Sequence, residues 1–169
     1  MFGLFAMLSA PVLNDVATTV SGYDKPEDEI VLEFQEASAK PYSPAVKAII
    51  QKAYGSKLHP LVFPSSIISR SDLFEVVSAV AMKQGDWKLE KIMRQSKILQ
   101  GVATTRIMRF QDDFVILVSE RSTPRGSVSR VDMRSKSRMG KGDLGANAAR
   151  IEHFLGQVRE AVAAKVGPL

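Results

Sequence analysis

Hydrophobic positions along the chain change period several times, and each change marks an element. The sequence opens on an apolar run, MFGLFAMLSAPVL, broken by Pro11. The next stretch, to Pro44, is polar and proline-containing, with an acidic cluster of Asp24, Glu27, Asp28, Glu29, Glu33 and Glu36. It predicts an irregular segment with one short extended piece at Ile30 to Phe34. From Ser43 the pattern becomes helical. Ser43 is a natural N-cap, Pro44 suits the first helical position, Val46, Ile49 and Ile50 share a face, and Gly55 stops the turn. LHPLVFP, bounded by prolines, predicts an edge strand or extended linker. In SRSDLFEVVSAVAMKQG, residues Leu73, Val76, Val77, Val80 and Ala81 recur at helical spacing up to Gly85.

After Trp87 the period falls to two. WKLEKIM, ILQGVATTRIMRF, DDFVILVSER and SVSRVDMRSKS read as four strands, with Val131 and Met133 pointing inward. The joints are expected at Gln95-Ser96, at Gln111-Asp112-Asp113 and at STPRG. Connections this short join antiparallel neighbours rather than parallel crossovers. From about Asp143 the helical period returns, and Ala148, Ile151, Phe154, Leu155, Val158 and Val162 form one stripe. The expectation is an α+β fold: an antiparallel β-meander of four to five strands, helices packed on one face, and a long C-terminal helix. Residues 1–42 read as an extended apolar and acidic arm, and residues 43–169 as a single domain. Trp87 and Phe110 are expected in the core.

Composition narrows the chemistry. Of 169 residues, 45% are hydrophobic and 24% charged, the balance of a globular chain. With no cysteine, disulfides, thiolate catalysis and cysteine-ligated metals are excluded. The net charge of +5 favours anionic partners without specifying one. The opening apolar run is shorter than a bilayer span and lacks the basic leader of a secretory signal. It reads either as an arm packed on its own domain or as one that docks on a partner, through Phe2, Leu4, Phe5 and Leu8.

SRMGKGDLGANAARI contains G-x-G-x-x-G at Gly140, Gly142 and Gly145. A dinucleotide site needs these glycines after the first strand of a βαβ unit, with a second parallel strand to follow. Here they follow the last strand, and a single helix remains. The loop therefore reads as a joint, in which Gly140 and Gly142 permit a sharp turn and Asp143 caps the helix. Gly145 lets the helix start approach the sheet, and Arg138, Asn147 and Arg150 tie the corner. The alternative is a helix N-terminus that binds a phosphate or headgroup with help from Arg138 and Lys141.

Seven basic residues lie between Arg121 and Lys141, against Asp132 alone. Arg130, Arg134, Lys136, Arg138 and Lys141 are the candidates for docking an anion or an acidic partner; the bland alternative is a solvated face with weak ion pairs. Nucleic acid ranks below these, because the stretch holds no aromatic on which bases could stack. Asp112 and Asp113 read as turn formers rather than an acid–base pair. His59 and His153 have no second ligand at metal spacing, and no serine sits in a nucleophile elbow. No metal, cofactor or catalytic residue is expected.

From Asp112 to Ile151 the sequence resembles the domain of unknown function 1499 family. The shared pattern is a strand led by two aspartates, an arginine- and serine-rich strand, then S-R-x-G-x-x-D-L-G-x-N-x-x-R-I. PVLNDVATT is similar to the family's N-terminal motif, although Asn14 stands where histidine is expected, and SGYDKPED replaces the usual paired prolines. The resemblance implies no reaction. It does imply a membrane-adjacent protein, since relatives occur in bacterial envelopes and plastids. The expected function is thus a non-catalytic accessory subunit or assembly scaffold of a membrane-associated complex. Its compartment would be a plastid thylakoid or bacterial envelope, with the mitochondrion as a further possibility, and the chain would not itself be transmembrane. A module holding a lipid or pigment between sheet and helix is the second expectation. An enzyme using Asp113, Arg138 and Asp143 is the third.

Overall fold

The computed structural model describes residues 11, 13–18 and 42–167. The predicted strand at Ile30 to Phe34, the acidic cluster and Phe2, Leu4, Phe5 and Leu8 lie outside those residues. In chain order the elements are β1 (Asp15–Ala17), α1 (Pro44–Tyr54), β2 (Leu61–Pro64), α2 (Arg70–Met82), β3 (Trp87–Met93), β4 (Ile98–Thr104), β5 (Gln111–Thr123), β6 (Gly126–Ser137) and α3 (Ala146–Val166). The architecture is α+β, as the sequence predicts.

The sheet has six strands rather than four to five, all its pairings antiparallel. Strands β3 to β6 form the expected meander. The extra strands are short and lie end to end along the free edge of β6. Asp15 pairs with Lys136 and Ala17 with Arg134, while Leu61 pairs with Val131 and Pro64 with Val128. Residues 15–17 thus belong to the sheet, although the sequence assigns them to the arm. Three residues are too few to show a period, so β1 exists only through its partner.

One of the expected joints moves. β5 begins at Gln111, so Asp112 and Asp113 stand in a strand, not a turn. The connection from β4 is instead Thr105–Phe110, closed by Thr105 N donating to Phe110 O at 2.8 Å. Phe110 is consequently exposed, contrary to its expected place in the core.

Helices α2 and α3 cover one sheet face. Leu73, Phe74 and Val77 of α2 and Ile151, Phe154, Val158 and Val162 of α3 are buried in one cluster with Phe114, Ile116, Val118, Val131 and Met133. Trp87 packs partly buried between Phe114 and Phe154, its ring centroid 4.2 and 5.0 Å from theirs. Gly101 makes room for the Phe114 ring, since a Cβ there would lie 2.7 Å from Phe114 Cζ and 2.4 Å from the Lys88 carbonyl oxygen. Ser69 caps α2, accepting from Asp72 N at 3.1 Å. Ser43 caps α1 by accepting from Val46 N at 3.3 Å. Of the predicted α1 face, Ile50 is buried but Ile49 is exposed. The opposite sheet face carries a smaller cluster of Ile98, Val115 and Leu117.

Candidate functional site

The residues singled out by sequence divide between the two faces of β5 and β6, because side chains alternate along a strand. On the helix side, Asp112 pairs with Arg150 of α3, Oδ2 to Nη2 at 2.5 Å, and both side chains are buried. Arg150 Nη1 also donates to Ser135 Oγ at 2.9 Å and to Asn147 Oδ1 at 2.7 Å. Asn147, wholly buried, accepts from Ser135 Oγ at 2.6 Å and donates to Ser137 Oγ at 2.9 Å and the Asn14 carbonyl at 3.2 Å. Asp112, Ser135, Ser137, Asn147 and Arg150 therefore form one closed network that bolts the first turns of α3 to the sheet. Every polar group in it bonds to another, which is how ionised groups are accommodated in a low-dielectric interior.

The glycine corner lies directly above this network. Its left-handed residues are Gly140 (φ 85°), Leu144 (φ 53°) and Gly145 (φ 84°); Gly142 does not adopt a positive φ, contrary to expectation. The helix starts at Ala146 with Gly145 at the cap position, so Asp143 is not the N-cap residue itself. Its carboxylate nevertheless does the work of a cap. Oδ1 accepts from Gly145 N at 2.9 Å and Oδ2 from Asn147 N at 2.7 Å. These are the amides that a phosphate at this N-terminus would need, and Asp143 occupies them. Asp143 N in turn donates to the Leu13 carbonyl at 2.9 Å, and Asn14 Nδ2 donates to the Gly140 carbonyl at 2.6 Å. The stretch PVLND is thereby built into the corner.

On the other face lies the basic row, which is not one continuous surface. Arg134 is 1% exposed. It forms a bidentate pair with Asp15, stacks its guanidinium 4.6 Å from the centre of the Tyr42 ring, and shares Asp15 with the Tyr42 hydroxyl at 2.7 Å. Arg130 grips Asp132 at 2.7 Å, and Thr18 Oγ1 donates to the same carboxylate at 3.1 Å. Lys136 is half-buried, opposite Asp15. Arg138 is exposed and donates to Asp113 at 2.7 Å and to Gln111 Oε1 at 2.9 Å. The hydrogen bond and charge of Asp113, with the charge of Glu90, hold the Arg138 guanidinium above its ordinary pKa. Of the five, only Arg138 and Lys141 are exposed. Asp15 and Tyr42 were not singled out by sequence, and Asn14 only as a departure from the family's motif; a lone aspartate beside an apolar arm gives no signal until β1 sets it opposite β6.

Sequence also missed the apolar end of the sheet. Ile107 (91%), Met139 (74%), Met108 (65%) and Leu144 (61%) are the most exposed large hydrophobic side chains among the described residues. They occupy two adjacent loops, Thr105–Phe110 and Arg138–Leu144, which meet where Arg138 N donates to the Gln111 carbonyl at 3.0 Å.

Elsewhere, a cleft of about 200 Å³ lies at the edge of the sheet between Ala17, Thr18, Ile50, Tyr54 and Leu58. Burial, then the charge of Asp143, pushes the Tyr54 phenol up from its ordinary pKa. His59 and His153 are exposed, and among the described residues no three His, Cys, Asp or Glu converge as metal ligands.

Comparison with curated proteins finds no match. A family model described as a protein of unknown function, DUF1499, matches residues 24–158, beginning after PVLNDVATT and running through the network and the corner into α3. With most of its length so matched, the chain belongs to the DUF1499 family.

Proposed function

We propose that the chain is a non-catalytic accessory subunit or scaffold of a membrane-associated complex. One observation supports this above others: the conspicuous polar residues of the signature turn inward. Asp112, Asp143, Asn147 and Arg150 are consumed in bonds that fix α3 to the sheet, while the most exposed apolar side chains gather beside Arg138 and Lys141. A catalytic acid or base must reach a substrate proton. These groups are bonded to one another, to neighbouring serines and to backbone groups. What the molecule offers outward is a surface for binding.

The membrane setting draws further support from the family resemblance and from the apolar sequence of residues 1–10, joined to the corner through Pro11. Among the described residues no helix is long and apolar enough to cross a membrane. The test is co-purification from native membranes, comparing the full chain with one lacking residues 1–10. Loss of the associated proteins with an unchanged melting temperature supports the reading. An identical set of partners, or none with either chain, contradicts it.

A module holding a lipid between sheet and α3 is less well supported. Phe154, Val158 and Val162 share a closed core with Ile116 and Val131, all fully buried, and the 200 Å³ cleft lies elsewhere, beside α1.

A further inference from the structure

We infer that the end of the sheet formed by Thr105–Phe110 and Arg138–Leu144 is a docking site for the surface of an anionic lipid bilayer. The first loop is RIMRF, and the second is RMGKGDL. Phe110 and Met139 flank the hydrogen-bonded pair of Gln111 and Arg138, so the loops are side by side. Ile107, Met108, Phe110, Met139 and Leu144 are all exposed here. Single exposed apolar residues are ordinary, but two neighbouring loops that together hold the four most exposed mark an interaction surface.

The charges around the cluster choose the partner. Arg106, Arg109, Arg138 and Lys141 are exposed among the apolar residues. The carboxylates of the same end are largely committed: Asp113 to Arg138 and Asp143 to backbone amides. Two carboxylates stand exposed on the β3 side, Asp86, whose carbonyl accepts from Thr104 N, and Glu90, whose charge reaches Arg138; the four cations outnumber them. Apolar side chains ringed by cations match an interface that is apolar within and negative at its surface. A folded protein partner matches less well. Five side chains on two loop tips fall short of the roughly 800 Å² that each side of a stable protein interface buries. A bilayer needs no complementary relief, only that the tips enter to the depth of the headgroup boundary.

This inference rests on the membrane-associated reading and names its lipid contact, but its test uses no other protein. The full chain is mixed with vesicles of phosphatidylcholine, with or without roughly one-third phosphatidylglycerol, and bound protein is measured by flotation. Binding is expected to the anionic vesicles and to weaken as salt rises from about 0.1 M to about 0.5 M. The double variant Ile107→Ser/Met139→Ser should bind at least about tenfold more weakly. Arg106→Ser/Lys141→Ser should lose roughly twentyfold, near fivefold per cation. Leu144 and Arg109 are left alone because both have positive φ. All four substituted side chains are exposed, so melting temperatures should not change.

Equal binding by wild type and both double variants overturns the inference, as does binding indifferent to lipid charge. Wild-type self-association in sedimentation that Ile107→Ser/Met139→Ser abolishes, without vesicle binding, assigns the surface to a second copy. Co-purification that survives while vesicle binding fails leaves the accessory-subunit reading standing and removes only the lipid site.

Discussion

At the scale of single residues, burial decides what each charge can do. Asp112, beside Asp113, has the look of half an acid–base pair in the sequence, yet its side chain and that of Arg150 are 3% and 10% exposed and bonded to one another. Removing one partner leaves the other buried without compensation, which costs about 3–5 kcal/mol. Arg150→Ala is therefore expected to lower the melting temperature by about 10 °C. Asp112→Ala should do the same, and the double variant should lose clearly less than the sum, as read by thermal denaturation.

Tyr54 gives a prediction in pH. Its pKa is raised in the folded chain above the ordinary 10.0, by burial and then by Asp143. The fold thus favours the neutral phenol: this contribution is fully present below pH 10 and is lost as pH rises through the folded value. Tyr54→Phe should flatten that alkaline loss in denaturant titrations, and the tyrosinate absorbance of the wild type should show one phenol ionising late.

At the scale of elements, the strands and helices with a sustained period were legible in the sequence, as were the joints at Gln95-Ser96 and STPRG, but the joint before β5 was not. The stripe of α3 and the alternation of β5 and β6 follow from burial on one face, which any long amphipathic segment announces. Gln111-Asp112-Asp113 carries turn-forming residues, but Asp112 is required opposite Arg150 and Asp113 opposite Arg138, and those tertiary partners override local preference. The start of α3 shows the same override. Asp143 serves the helix from outside it, and two left-handed residues, Leu144 and Gly145, make the turn between them. Asp143→Ala should cost on the order of 1–2 kcal/mol, a fall of roughly 2–8 °C in melting temperature. Asp143→Asn, which keeps an acceptor for one amide, should recover part of it.

At the scale of the whole molecule, the fold takes in the part of the N-terminal sequence that pairs with β6. Residues 1–10 precede the corner, whereas Leu13, Asn14, Asp15 and Thr18 are bonded into it and into β6. Deleting residues 1–10 should leave the melting temperature nearly unchanged. Deleting residues 1–18 removes β1 and takes Asp15 away from the buried Arg134, which should cost 3 kcal/mol or more and expose the edge of β6 to self-pairing. Circular dichroism melts and size-exclusion profiles of the two truncations check this directly.

The sequence by itself determined the class of fold, the meander and its closing helix, and the family. These are written in periodicity, chain order and motif context, all of which are local. Only the tertiary structure decided that the signature polar residues face one another, that Arg134 is buried against Asp15, and that Ile107, Met108 and Met139 stand exposed on adjacent loops. The reason is physical: whether a charge is solvated, or an apolar side chain covered, depends on neighbours more than a hundred residues away in the case of Asp15 and Arg134. No local pattern encodes that distance.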